Sequence, residues 1–279
     1  MLTVPVRLLG DAERPDVEQL LEGEPYAGAQ IAERVTAAGL AWWRLDARLY
    51  GHGRGRRVDS LCWAGANVIP LRAGPTAVAA FADLLSGEPR TCSSIVGEAD
   101  AVLPLWERLA RPWGPARDVR DNQPLLAASR EASVAPDPGV RRVRPKELDL
   151  LYPAAVAMYT EEVGVPPTAA DGDGTYRERV RDLVRAGRAY ARFHDGRVVF
   201  KAEVAVVTRH TAQVQGVWVA PEWRGRGLAV PGMAAVMRDV LTRVAPSVSL
   251  YVNDFNVAAK RTYTRCGFRQ VGTFATVLF

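Results

Sequence analysis

Apolar residues recur at helical spacing in LAVPGMAAVMRDVLTRV, where Met233, Val236, Met237, Val240, Leu241 and Val244 share one face. TYRERVRDLVRAG repeats the pattern with Val180, Leu183 and Val184 and stops at Gly187, a good C-terminal cap. LDLLYPAAVAMYTEEVG is a third amphipathic helix, which Pro153 is expected to disturb. In AYARFHDGRVVFKAEVAVV two strand-like runs flank Asp195-Gly196, a strong short hairpin signal. AQVQGVWV and SVSLYVN are further strands, NVAAKRTYTRCG is a helix ending at Gly267, and FRQVGTFATVLF supplies one or two closing strands. With a short strand in VRRVRPKEL, the predicted order is β-α-α-β-β-β-α-β-α-β. This is a mixed α/β domain with a hairpin-rich sheet, not a doubly wound βαβ repeat.

The first half follows the same plan without recognisable sequence identity. VPVRLLG is a strand, PDVEQLLEG and AGAQIAERVTAAG are helices, and ARLYGHGRGRRVDSLCWAG is a hairpin. ANVIPL is a strand, PTAVAAFADLL a helix, RTCSSIVG a strand and ADAVLPLWERLA a helix. A small, polar, proline-rich stretch within SREASVAPDPG separates the halves. The expected division is therefore a first domain over 1–130, a linker over 131–139 and a second domain over 140–279.

Composition narrows the function. The 279 residues carry 36 Lys and Arg against 31 Asp and Glu, a net charge of +5. That mild excess suits an anionic ligand. The arginines are scattered and form no basic-aromatic stripe, which argues against nucleic acid. Cys62, Cys92 and Cys266 lie far apart in apolar contexts, so neither a metal site nor a disulfide framework is expected. No apolar run approaches membrane-spanning length and the start does not read as a signal peptide, so a cytoplasmic protein is expected. His52, His194 and His210 sit in polar turns or loops and receive no role.

One stretch invites chemistry. In VWVAPEWRGRGLA a strand ends, Pro221 turns the chain, and Arg224-Gly225-Arg226-Gly227 opens a helix. The first amides of a helix lack internal partners and sit at the positive end of its dipole. Glycines there let backbone N–H groups close on an anion, and arginines add fork-shaped donors. GHGRGRR at 51–57 also contains GRGR, but it lies between two strands and opens no helix, so it reads as a hairpin loop.

With this context the second half resembles the GCN5-related N-acetyltransferase (GNAT) superfamily. Arg224-Gly225-Arg226-Gly227-Leu228-Ala229 satisfies its (Q/R)-x-x-G-x-(G/A) hallmark at every position, and Val219 and Pro221 match the lead-in. Downstream, Asn256, Ala259, Tyr263, Gly267 and Phe268 match N-x-x-A-x-x-x-Y-x-x-x-G-F. The first half carries neither motif. Overall the chain is similar to two-domain actinobacterial members with a degenerate N-terminal GNAT-like domain that lacks the cofactor loop.

The resemblance implies a GNAT fold with a mixed, mostly antiparallel sheet, and acetyl-CoA as cosubstrate without a metal. It implies that the pyrophosphate takes the amides of 225–229 with Arg224 and Arg226. The pantetheine arm would lie along Val217, Trp218 and Val219, and Asn256 would contact it while capping its own helix. An amine would attack the thioester directly in a ternary complex, with an amide near 217–219 facing the oxyanion. Tyr263 corresponds to the family's general acid, a role needing some help from its site against a thiol of lower pKa. Glu203 is the first choice for the base, as a charge in an apolar central strand with Lys201 on the same face. Glu161, Glu162 and Gln215 are expected at the acceptor site.

The expected activity is N-acetylation of a primary amine, on a small molecule or on a peptide or protein. The rival is a non-catalytic acetyl-CoA-binding or sensing module acting through a partner, against which Tyr263 in register argues. Neither nucleic acid nor a membrane is an expected partner.

Overall fold

The computed structural model describes residues 6–55, 57–167 and 174–279. Residues 168–173 of the predicted loop GVPPTAADGDG lie outside that set. Two compact units emerge from the contacts: residues 1–126 with 251–255 and 270–279, and residues 127–250 with 256–269.

The first unit runs β1 (Arg7–Leu8), α1 (Arg14–Glu22), α2 (Ala29–Ala38), α3 (Trp42–Leu45), β2 (Arg48–His52), β3 (Ser60–Ala64), β4 (Asn67–Leu71), α4 (Pro75–Ser86), β5 (Ser94–Glu98), α5 (Ala99–Trp113) and β6 (Asp118–Ala128), whose last two residues belong to the second unit. Strands β1 to β4 pair antiparallel in sequence order, and β4 pairs β5 in parallel. One apolar cluster packs Val17, Ile31, Leu49 and Leu61; another packs Phe81, Val102, Leu105 and Leu109. Short α3 and strand β6 escaped the sequence reading. The first half of β6, DVRDNQ, is polar and has no strand-like alternation.

The second unit repeats this order: β7 (Arg141–Arg142), α6 (Leu148–Val163), α7 (Gly174–Arg185), β8 (Ala189–His194), β9 (Arg197–Val207), β10 (Ala212–Val219), α8 (Ala229–Arg243), β11 (Val248–Tyr251) and α9 (Val257–Arg265). Strands β7 to β10 pair antiparallel and β10 pairs β11 in parallel, the same pattern as β1 to β5. The predicted two-residue turn joins β8 to β9, with Asp195 and Gly196 both left-handed (φ 46° and 73°). Helix α6 runs unbroken through Pro153, which forgoes one ladder bond near its N-terminus.

The closing strand, β12 (Arg269–Leu278), departs from the expected division at 131–139. It pairs antiparallel with β5, Phe274 opposite Glu98 and Leu278 opposite Ser94, and residues 270–279 belong to the first unit. Its alternating pattern predicts a strand but carries no address. The partner is chosen by which strand offers free backbone groups.

Helix α8 is anchored where it carries the glycine-rich loop. Asp239 accepts hydrogen bonds from Tyr190 Oη at 2.7 Å and Arg142 Nε at 2.8 Å, tying the helix to β8 and β7.

Candidate active site

The site grows from strand β10. Ala212 and Gln213 pair with Val248 and Ser249 of β11, and that register goes no further. From Val214 onward the β11 side of the strand is left without that partner. On the other side β10 stays paired with β9 to its end, with two register shifts, one between Gln213 and Val214 and a bulge between Gln215 and Trp218. Gln215 faces Glu203 and Trp218 faces Lys201, so β10 takes three steps where β9 takes two. Gly216, inside the bulge, has φ 58°. The glycine in AQVQGVWV was the available sequence signal for it.

Beneath the bulge lies a buried charge pair. Lys201 is fully buried and Glu203 nearly so. Lys201 Nζ stands 2.6 Å from Glu203 Oε1 and donates to the Gly216 carbonyl at 3.1 Å. The approach to Oε1 is a charge contact and not an aligned hydrogen bond, since that oxygen has no hydrogen-bond partner by angle. A Cβ at Gly216 would meet Met158 Cε at 3.0 Å and Lys201 Nζ at 3.1 Å, so α6 closes over this spot. The two charges share a face as alternation requires, and that face is buried.

The loop follows β10 directly. Pro221–Trp223 forms a 3-10 turn, then Gly225 and Gly227 adopt φ 74° and 76°, and α8 begins at Ala229. Left-handed backbone at both glycines turns successive peptides without a side chain in the way. Gly232 N is the first amide bonded back within the helix, to Leu228 O at 3.0 Å, so Ala229 and Val230 have no such bond. Arg226 is exposed and stacks over the Trp223 ring at 4.7 Å.

Arg224 commits part of its fork to protein groups. Its Nη2 donates to Glu161 Oε2 at 2.6 Å and its Nε to the Val219 carbonyl at 3.1 Å. Trp218 Nε1 donates to the same Glu161 oxygen at 3.0 Å. The Arg224 guanidinium, with the Trp218 bond, lowers the Glu161 carboxyl below its ordinary value. Glu161, expected as an acceptor ligand, thus joins the end of α6 to β10 and the loop. Sequence separation hid this arrangement, because 63 residues divide it from Arg224.

Helix α9 contributes the remaining residues. Asn256 caps it, its Oδ1 accepting from Ala259 N at 3.0 Å. Tyr263 is buried, with its ring 5.7 Å from that of Phe268. Its hydroxyl has no hydrogen-bond partner among the described residues. Burial, reinforced by the Glu162 charge and Cys266, pushes the phenol above its ordinary value. The shift favours the protonated phenol, which is a hydrogen-bond donor.

These features decide whether the chain can take coenzyme A. The unpaired edge of β10, two left-handed glycines at a helix N-terminus and an exposed Arg226 fit a strand-like arm ending in a pyrophosphate. Among the described residues no cluster of His, Cys, Asp and Glu suits a metal ion. No helix is long and apolar enough to cross a membrane.

Comparison with known proteins bears on family and fold. Residues 152–268 match the family described as Acetyltransferase (GNAT) family. This segment is a GNAT-family acetyltransferase domain. Residues 47–151 match a domain of unknown function, DUF4081. A GNAT-family acetyltransferase from Colwellia psychrerythraea is 14% identical, with 98% of this chain and 99% of that one covered and a TM-score of 0.55. A tandem GNAT protein from the clavulanic acid biosynthesis pathway covers 98% of both chains at 14% identity and a TM-score of 0.52. A Drosophila protein, also 14% identical with 98% of both chains covered, reaches 0.67. At such identities the likeness is one of fold, and it extends over both units of the chain. No curated protein matches. The glycine-rich loop, Tyr263, Glu203 and the bulge lie within one compact unit, residues 127–250 with 256–269.

Proposed function

We propose that the chain is an acetyl-CoA-dependent N-acetyltransferase acting on a primary amine by direct attack in a ternary complex. The observation that carries this reading is the unpaired edge of β10 running straight into a loop with two left-handed glycines at the start of α8. Acetyl-CoA supplies the thioester acyl group. The backbone of Val217 to Val219 offers an edge for the pantetheine arm, although the Val219 carbonyl is engaged by Arg224. Amides of 225–229 and Arg226 take the pyrophosphate, and Arg224 braces the loop while keeping further N–H groups for it. Asn256 caps α9 beside the arm.

Tyr263 Oη aims its O–H at the leaving sulfur. Because the phenol is held above its ordinary value, its contribution is a hydrogen bond that strengthens as thiolate charge develops. Glu203 takes the amine's proton, its carboxylate being held in place by Lys201 Nζ. Gln215 and Glu162 border the acceptor, with Glu161 as their structural link to the loop. The first unit is a degenerate GNAT-like domain without a cofactor loop.

The deciding experiment is CoA release from acetyl-CoA across a panel of small amines and N-terminal peptides. Turnover with one class and its loss in Tyr263→Phe supports the reading. Acetyl-CoA binding without turnover on any amine refutes it in favour of a sensing module.

A further inference from the structure

We infer that Lys201 is a positioning residue that sets the oxyanion-facing amide of the β10 bulge. This rests on the acetyl-CoA reading above and adds a residue to it.

The peptide joining Gly216 to Val217 is planar and trans, so its carbonyl and N–H point in opposite directions. Lys201 Nζ holds that carbonyl at 3.1 Å from within the closed side beneath α6. The Val217 N–H therefore points away from Lys201. Neither Gly216 nor Val217 is matched to β9, since the register passes from Gln215 to Trp218. A left-handed glycine in a bulge is a joint at which a peptide plane can turn over at little cost. Something must choose its orientation, and the buried ammonium does so. A charged donor on the carbonyl also polarises the amide, making its N–H a stronger donor to negative charge.

Glu203 makes this arrangement tenable. A fully buried ammonium needs a counter-charge, and the carboxylate supplies it at 2.6 Å. One cation thus holds both the bulge carbonyl and the carboxylate proposed as base. Lys201 touches neither the cosubstrate nor the acceptor; it acts through Gly216 and Glu203.

The test needs no knowledge of the acceptor. The Val217 amide would meet the acetyl carbonyl, which acetyl-CoA has and CoA lacks. Isothermal titration of both ligands therefore isolates its contribution. The unaltered protein should prefer acetyl-CoA over CoA by about five-fold, the scale of one net hydrogen bond. Lys201→Met should lose that preference while keeping CoA affinity within about two-fold. Since Lys201→Met leaves Glu203 buried without its counter-charge and can fail to fold, Lys201→Met/Glu203→Gln is measured beside it, with Glu203→Gln alone as the control in which the Lys201 amine, charged or neutral, still has an N–H for the Gly216 carbonyl. Loss of the preference in the double variant and its survival in Glu203→Gln support the inference. An unchanged ratio in the double variant overturns it, as does equal binding of the two ligands by the unaltered protein. If the unaltered protein binds neither ligand, the acetyl-CoA reading itself fails.

Discussion

Glu161 Oε2 accepts the Arg224 guanidinium at 2.6 Å, joining the end of α6 to the first residue of the glycine-rich loop. The same oxygen takes the Trp218 indole N–H, so one carboxylate holds both the strand and the loop that follows it. Both side chains are about half exposed, which makes the pair weak as a source of stability. Its value lies in pre-orienting the loop. Glu161→Ala should weaken CoA and acetyl-CoA alike, by roughly two- to ten-fold, with melting temperature almost unchanged. Titration calorimetry on both ligands checks this. A loss confined to amine binding would return Glu161 to the acceptor site.

Gly227→Val places a β-branched side chain at φ 76°. Space is open there, with nothing within 4 Å of a built Cβ, so the cost is backbone strain of about 1–3 kcal/mol. The loop should change conformation while the unit stays folded. Acetyl-CoA affinity is expected to fall at least a hundred-fold, with far-ultraviolet circular dichroism unchanged. Undiminished affinity would remove this loop from the cofactor site.

Tyr263→Phe deletes a hydroxyl but keeps the ring against Phe268. Turnover should drop by roughly ten- to ten-thousand-fold with acetyl-CoA affinity nearly kept. Because burial raises the phenol, the neutral donor persists beyond the ordinary tyrosine range. The unaltered enzyme should therefore show no alkaline loss of activity from Tyr263 up to about pH 10. A basic limb below that pH which disappears in Tyr263→Phe would contradict this.

Glu147 offers a test of stability. Its two oxygens take Arg141 at 2.7 and 2.8 Å, and Oε2 also accepts Arg144 N at 2.8 Å. The Arg141 bonds, with the Arg144 amide, bring its carboxyl from 4.5 down to about 2. A depressed folded-state value means that the contribution is present above the unfolded value and is lost as pH falls toward 2. Glu147→Gln should cost about 1–3 kcal/mol at pH 7, and the difference should shrink between pH 4.5 and 2. Urea midpoints across that range measure it.

Much of the site was legible because it is local. The turn of Arg224 through Ala229 is a matter of their own backbone, so identity and order suffice to predict its shape, and the turn at Asp195-Gly196 is equally self-contained. Asn256, Tyr263 and Phe268 sit on one helix and its exit, where spacing alone sets their relation. Glu203 drew attention as a charge in an apolar strand. Whether its face met solvent or protein depended on α6, which packs from another part of the chain.

The sequence by itself determined most of the element order, with the β-α-α-β-β-β-α-β-α plan in both halves, and the glycine-rich turn before α8, because periodicity and turn chemistry are properties of neighbouring residues. Tertiary structure alone decided that β12 joins β5, that Glu161 braces Arg224, and that Lys201 grips the Gly216 carbonyl. The first two join groups far apart in the chain, and the third depends on where the bulge falls between neighbouring strands. A strand's pattern states which face is apolar but not which edge it will find, and a charge states its sign but not its partner. Both are settled when the chain closes and every buried polar group must be matched.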